Sequence, residues 1–363
     1  MKKFTLYSFL TVLALTSASR AFAYDLEVDG MYYNLDMDNY TATVTSGDNK
    51  YAGDIVVPSQ ISYKTAKFDV VTIGRSAFSS CDGLTSVTIS EGITEIGTDA
   101  FYNSDNLVEV IIPSTVKTIG QYAFGDCNNL EKATLPEGIE TIENYTFQKC
   151  YQLQEILIPS TVKSIGIAAF DNCMSVKKLV IPQNVTYIGI GAFDKLTLDE
   201  LVVEDGDSEV GIDLFPFDKT SANTVYMGRP MTLTSYFKSD EIETLILGPK
   251  LNKWYDSYTG TGVKKVISKI ENPSQLAPVF DAITYLDAEL IVPKGTLDLY
   301  KADPNWKKFL SISEETTTGI NNANADINAQ GAQRFTLGGM RTSGNSKGFT
   351  IIRENGKTKK VVR

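Results

Sequence analysis

The phenylalanines Phe78, Phe101, Phe124, Phe147, Phe170 and Phe193 are each 23 residues apart, and that spacing constrains the chain more than any other feature. The repeating unit reads Ile-Gly-x-x-Ala-Phe-x-x-Cys-x-x-Leu-x-x-Val-x-Ile-Pro-x-x-Val-x-x, and its columns keep register. Ile73, Ile96, Ile119, Ile142, Ile165 and Ile188 form one column; Leu84, Leu107, Leu130, Leu153 and Val176 another; Pro113, Pro136, Pro159 and Pro182 a third. A fixed period of roughly 20 to 30 residues marks a β-rich solenoid with one parallel strand per repeat, because helix-pair repeats need thirty-odd residues or more. The strand is the Leu-x-x-Val-x-Ile-Pro segment: its apolar residues alternate, β-branched types dominate, and the proline withholds an N–H from the ladder. One repeat buries side chains worth on the order of 10 kcal/mol, against roughly 1–2 kcal/mol per residue to order its backbone. A single repeat therefore cannot fold alone, so stacking is obligatory and both ends need caps.

The strand column runs Val87, Val110, Ala133, Ile156, Leu179 and Leu201, then loosens through Val225, Leu245, Val266 and Leu290. The aromatic column is expected to continue as Phe215, Phe237, Tyr258 and Phe280. The organisation that follows is a signal peptide at 1–23, an N-terminal β cap and first rung at 24–64, regular repeats at 65–196, degenerate repeats and a C-terminal cap at 197–312, a linker at 313–332 and a candidate C-terminal sorting segment at 333–363. The signal reading rests on Lys2 and Lys3, an apolar run too short to span a bilayer, and Ala21-Phe22-Ala23 before Tyr24. Two alternating runs, Met31-Tyr32-Tyr33-Asn34-Leu35 and Thr41-Ala42-Thr43-Val44-Thr45, flank the turn Asp36-Met37-Asp38-Asn39 and predict a hairpin cap, with the first rung at Ile55-Val56-Val57-Pro58. Leu297, Tyr300, Trp306 and Phe309 around Asp303-Pro304 predict a short helical cap at the other end.

The run Ile119-Gly120-Gln121-Tyr122-Ala123-Phe124-Gly125-Asp126-Cys127-Asn128-Asn129-Leu130 resembles the BspA-like class of bacterial leucine-rich repeat, and its neighbours match nearly as well. The resemblance covers 65–200 closely and 24–64 and 197–312 more loosely. It implies a leucine-rich-repeat right-handed superhelix in a secreted or surface protein of Gram-negative anaerobes or related microbes, a family often assigned to adhesion and not to catalysis. One departure stands out: the general leucine-rich pattern expects Asn three positions after the last strand leucine, where Gly92, Thr115, Gly138 and Thr161 stand and only Asn184 conforms. The segments Arg334-Phe335-Thr336-Leu337, Lys347-Gly348-Phe349-Thr350-Ile351-Ile352 and Lys359-Lys360-Val361-Val362-Arg363 resemble a sorting segment for export across an outer membrane, in a shorter version.

Charge and composition narrow the chemistry. The net charge of -10 is uneven, because 1–23 and 341–363 are basic and 24–340 carries about -19. A body that acidic repels phosphate backbones and anionic headgroups, which argues against nucleic-acid and membrane-surface partners. Histidine is absent, which removes Ser-His and Cys-His catalysis and His-ligated metals. No cofactor motif is present, and no carboxylate, lysine or tyrosine arrangement reads as catalytic. Cys81, Cys127, Cys150 and Cys173 share one column, with Ser104 filling the gap. Rungs about 4.8 Å apart place them within disulfide range, but parallel Cβ vectors suit the required dihedral poorly. A ladder of buried thiols is the better fit, with a strained Cys127–Cys150 or Cys150–Cys173 bridge as the alternative and a metal site disfavoured.

If Val-x-Ile points inward, two columns face outward on the concave sheet. Ser86, Glu109, Lys132, Glu155, Lys178 and Glu200 alternate in charge and read as register-fixing pairs. Beside them run Ile111, Thr134, Leu157, Val180, Val202, Tyr226, Ile246, Ile267 and Ile291. A contiguous apolar stripe of this kind marks a contact surface, although β-branched residues also suit strands whichever way they face. The expectation is an exported, non-enzymatic interaction protein that adheres to host or microbial surface proteins through this stripe. The alternatives are an envelope scaffold without a specific ligand and a glycan-binding accessory protein, for which Tyr226 would be the sole aromatic platform on the sheet. The acidic turn Glu204-Asp205-Gly206-Asp207-Ser208-Glu209 reads as a solvated loop rather than a calcium site, and Asp36-Met37-Asp38-Asn39 lacks the glycine and closing glutamate of a calcium loop.

Overall fold

The computed structural model describes residues 24–213, 215–231, 242–254 and 263–316, and the backbone of 333–335, 349–354 and 357–362. The expected signal peptide, the linker beyond 316, Phe237 and Tyr258 lie outside the described residues. Chain contacts define two units, divided after Ser313.

In the first unit the rungs stack in the anticipated register. Val87 pairs with Val110 and Val110 with Ala133; Ile156 pairs with Leu179, and the ladder runs on through Leu201, Val225, Leu245, Val266 and Leu290. All these pairings are parallel, so the irregular spacing beyond 197 is absorbed in the turns. This is the main sheet. The coils as far as Gly211–Ile212 also carry a second, very short parallel strand that the period alone does not reveal, such as Glu95–Ile96, Thr118–Ile119 and Ser164–Ile165. There the isoleucine column turns inward, and the glycine after it lets the next coil close in. A Cβ on Gly97, Gly120, Gly166 or Gly189 would lie 2.5–2.9 Å from the backbone of the preceding coil.

The third side of each coil is the Ala-Phe turn. Two residues four apart sit in the left-handed region, for example Asp99 and Asn103, Tyr122 and Asp126, or Tyr145 and Lys149. This unusual conformation directs alternate N–H groups towards the next coil: Asp99, Phe101 and Asn103 donate to the carbonyls of Gln121, Ala123 and Gly125, and the pattern recurs to Lys195 and Asp218. Ladder bonds of this kind offset the steric cost of left-handed non-glycine residues, of order 1–2 kcal/mol each. The phenylalanines between them stack nearly parallel through the interior, with centroids 4.9–5.6 Å apart. Phe193 stacks on Phe217 at 5.4 Å, so Phe217 continues the column and Phe215, the residue expected there, does not. The extra residue of this coil lies before the turn, since Ile188 already pairs with Ile212, and Phe193 N–H meets Pro216 O with Phe215 taking the left-handed position.

Both ends are closed as the caps predict. The antiparallel hairpin Met31–Asp36 and Thr41–Thr45 lies over the first coil, and Tyr51 rests on Phe78 at 4.6 Å, ending the phenylalanine stack. At the other end Tyr300 and Trp306 are fully buried. The Tyr300 hydroxyl donates to Ile270 O, and the Trp306 indole N–H to Pro273 O and Leu276 O, which satisfies carbonyls that no further coil reaches.

Among the described residues the regular coils show one seam. Where every other regular coil has glycine after the isoleucine, Glu143 stands. Thr118–Ile119 pairs only backward, Thr141–Ile142 only forward, and the main sheet likewise shows no pairing between Ala133 and Ile156. The Gly120 and Gly166 amides each donate to an isoleucine carbonyl of the preceding coil, and no equivalent bond joins Glu143 to Ile119. The Ala-Phe ladder continues across the seam, so the coils stay joined on that side. The proline turns show the same pairing of coils. Ser114 binds Glu91 and Thr115 binds Gly92 on one side, and Ser160 binds Glu137 and Thr161 binds Gly138 on the other.

Among the described residues of the second unit are the antiparallel strands Gln333–Phe335, Phe349–Glu354 and Lys357–Val362.

Candidate functional site

Of the nine residues expected to form the stripe, seven have register partners in the main sheet, and Thr134 and Leu157 follow its strand residues Ala133 and Ile156 directly. Val180, Val202, Tyr226, Ile246, Ile267 and Ile291 are register partners in succession, and Ile111 is the partner of Thr88. Their exposure divides them into two groups. Ile111 and Leu157 are 51% and 43% exposed, and Thr134 and Val180 are half-buried. Val202, Ile246, Ile267 and Ile291 are buried, the three isoleucines forming a cluster apart from the main core against which Tyr226 packs. The expectation of an outward-facing stripe along the whole column is therefore corrected: its C-terminal half is buried and the open half is the N-terminal one. Strand spacing of about 4.8 Å brings column neighbours into side-chain contact. Each isoleucine of the distal half has large neighbours to shield it, whereas Ile111 stands between Thr88 and Thr134. The sequence reading missed Val56. It pairs with Thr88 in the first rung and is 65% exposed; reading the stripe back into Ile55-Val56-Val57 would have found it.

Tyr226 is anchored. Its hydroxyl donates to the Asp205 carboxylate at 2.9 Å, and burial together with Asp205 pushes the phenol well above its ordinary range. The rest of the acidic turn is also engaged, where a solvated loop was expected. Glu204 accepts from the Gln183 amide, Asp207 pairs with Lys250 at 2.8 Å and Glu209 with Lys253 at 3.0 Å. Beneath it lies Arg229, fully buried, donating to Pro182 O and Ser208 Oγ. The turn supplies counter-charge to a cation that burial alone would make costly.

Two of the pairs that the alternation implies form, Lys132 with Glu109 at 2.5 Å and Lys178 with Glu200 at 2.6 Å, and Lys265 with Glu289 at 3.9 Å adds one beyond the expected column. Lys132 and Glu155 do not pair, because the seam parts their strands. On the open half, Asp54 accepts from Thr85 and Ser86 at 2.7 Å, bonds with Ser86 and Thr85 that hold its carboxyl below the usual range. Glu91 is also held low: desolvation, the largest single influence, acts upward and is outweighed by the hydrogen bonds of Ser114 and Thr115 together.

The four cysteines are buried and unbridged, as the ladder geometry favours. The thiols of Cys127, Cys150 and Cys173 each donate to the phenylalanine carbonyl of the preceding coil at 3.0–3.2 Å, as the Ser104 hydroxyl does at 2.7 Å. Burial pushes the Cys127 thiol up to about 12, which leaves it unreactive as a nucleophile. Among the described residues no group of three or more Cys, Asp or Glu is placed to hold a metal ion, and no helix is long and apolar enough to cross a membrane.

A parallel β-solenoid with aromatic and thiol ladders defines the class. Residues 71–199 match the model for the BspA type leucine rich repeat region in six copies, and this region belongs to that family. No curated protein matches the chain. Among solved structures, the chain is similar to a leucine rich cell surface protein from Faecalibacterium prausnitzii, with 18% identity, a TM-score of 0.50, and coverage of 83% of this chain and 96% of that one. It is also similar to a Treponema pallidum leucine rich repeat protein, with 25% identity, a TM-score of 0.46, and coverage of 52% and 85%. A leucine-rich repeat protein from Bacteroides ovatus matches at 21% identity, a TM-score of 0.40, and coverage of 76% and 81%.

Proposed function

We propose that this chain is an exported interaction protein that binds another protein, on a host or microbial surface, through the open half of its main sheet. The carrying observation is the row Val56, Ile111 and Leu157, solvent-exposed apolar side chains at equivalent positions of the coils, Val56 and Ile111 both pairing with Thr88 in one sheet and Leu157 lying across the seam. A repeat family suited to protein recognition supports the same reading, since stacked coils present an extended surface on which side chains can vary without disturbing the core. A glycan-binding role has less support on this sheet, because the hydroxyl of Tyr226, its one aromatic, is committed to Asp205. Binding to an array of extracellular-matrix, host-surface and microbial-surface proteins is expected for the purified chain. The double variant Ile111→Asp/Leu157→Asp, with its thermal melt unchanged, should lose the positive spots. Retention of every positive spot would overturn the assignment of this face.

A further inference from the structure

The two halves of the stripe differ in charge as well as in exposure, and the difference identifies the partner. Side chains two residues before a stripe position share its face of the strand, and those three residues after it lie on the turn that borders it. Alongside Val56, Thr88, Ile111, Thr134 and Leu157 these positions hold five carboxylates, Asp54, Glu91, Glu109, Glu137 and Glu155, and one cation, Lys132. Alongside Val180, Val202, Tyr226, Ile246, Ile267 and Ile291 they hold Lys178, Lys265, Arg229 and Lys294 against Glu200, Glu289 and Asp205. The charge is nearly balanced where the stripe is buried and strongly negative where it is open.

The negative charge is only partly offset locally: the Lys117 ammonium reaches this border, donating to Ser114 O and lying against Gly138. Only Glu109 has a cationic partner, Lys132. The partners of Asp54, Glu91 and Glu137 are hydroxyls and amides of Thr85, Ser86, Ser114 and Ser160. Neutral donors orient a carboxylate without removing its charge.

We infer that the open half of the stripe receives a basic protein segment, an extended strand or loop whose apolar side chains alternate with lysine or arginine. Its apolar residues would cover Val56, Ile111 and Leu157, while its cations meet the carboxylates on either border. An acidic partner is rejected at the same face by like-charge repulsion, so the border sets specificity and the stripe supplies contact area. This rests on the protein-binding reading above and adds the chemistry of the partner.

The test uses the full chain and two synthetic dodecapeptides, one alternating valine and lysine, the other valine and glutamate, with affinity read by fluorescence anisotropy. The lysine peptide should bind, weaken as salt is raised, and lose about tenfold in affinity against Glu91→Gln/Glu137→Gln/Glu155→Gln, a change confined to exposed border charges. The glutamine oxygens can still accept from Ser114 and Ser160, so the turns are preserved. Absence of binding by the lysine peptide, equal binding of the two peptides, or indifference to the triple variant would each overturn the inference. Loss of array binding in Ile111→Asp/Leu157→Asp alongside full retention in the triple variant would leave the protein-binding face standing and remove the basic partner alone.

Discussion

Asp194 is the residue at which the stack works against itself. One of its carboxylate oxygens is buried with no hydrogen-bond partner. Burial, followed by the neighbouring charges of Asp218 and Asp171, raises its pKa to about 6, despite an opposing amide hydrogen bond from Asp218. A carboxyl raised in the fold favours the protonated state. Its stabilising contribution is present in full below the ordinary carboxylate pKa and is lost as pH rises through about 6. Asp194→Asn should therefore be more stable than the parent at pH 7, by of order 1 kcal/mol once solvent screening of this half-exposed group is allowed for. The gain should vanish near pH 4, and paired denaturant titrations at the two pH values would check both the sign and the window. The sequence offered no signal for this, because stacked aspartates become costly only when the turn that carries them is known to lie on one edge. The stripe was partly legible for the related reason that column membership follows from the period, whereas exposure depends on the size of both column neighbours.

At the scale of the element, the glycine that follows each isoleucine decides how closely coils approach. A Cβ on Gly166 would lie 2.6 Å from the Asn144 backbone nitrogen and 2.8 Å from the Glu143 carbonyl carbon. Gly166→Ala should cost about 1–3 kcal/mol by overpacking and open a second break beside the one at Glu143. Hydrogen exchange checks the existing seam directly: the Glu143 amide should exchange at least about tenfold faster than those of Gly120 and Gly166, whose bonds to the preceding coil are intact. The main strands were legible because β-branched alternation ending in proline has few other readings. The second strands were not, since two residues are too short to show any periodicity. The seam was visible in the sequence as one glutamate in a glycine column, but its meaning needed the distance between coils. Phe215 was misplaced because a one-residue insertion shifts a column without changing its composition.

For the whole solenoid, stability is a chain of nearest-neighbour contacts, and the phenylalanine stack carries much of it. Phe147 lies fully buried between Phe124 at 5.1 Å and Phe170 at 5.4 Å. Phe147→Ala should cost about 3–5 kcal/mol and, placed beside the seam, should uncouple the coils on either side, so that a single thermal transition becomes two. Calorimetry would show the split, and a single, merely lowered transition would indicate that the caps and the distal sheet hold the stack together instead. The Ala-Phe ladder bears on the whole molecule in another way. In the peptide group joining Ala100 to Phe101, the carbonyl accepts from the coil before and the N–H donates to the coil after, and the same orientation recurs along the edge. Peptide groups aligned head to tail add their dipoles, as they do in a helix. One edge of this β-structure is therefore an electrical axis, with its negative pole at the first coil, where the Lys50 ammonium binds Ser79 O at 2.6 Å, and Asp171, Asp194 and Asp218 gathered towards its positive pole.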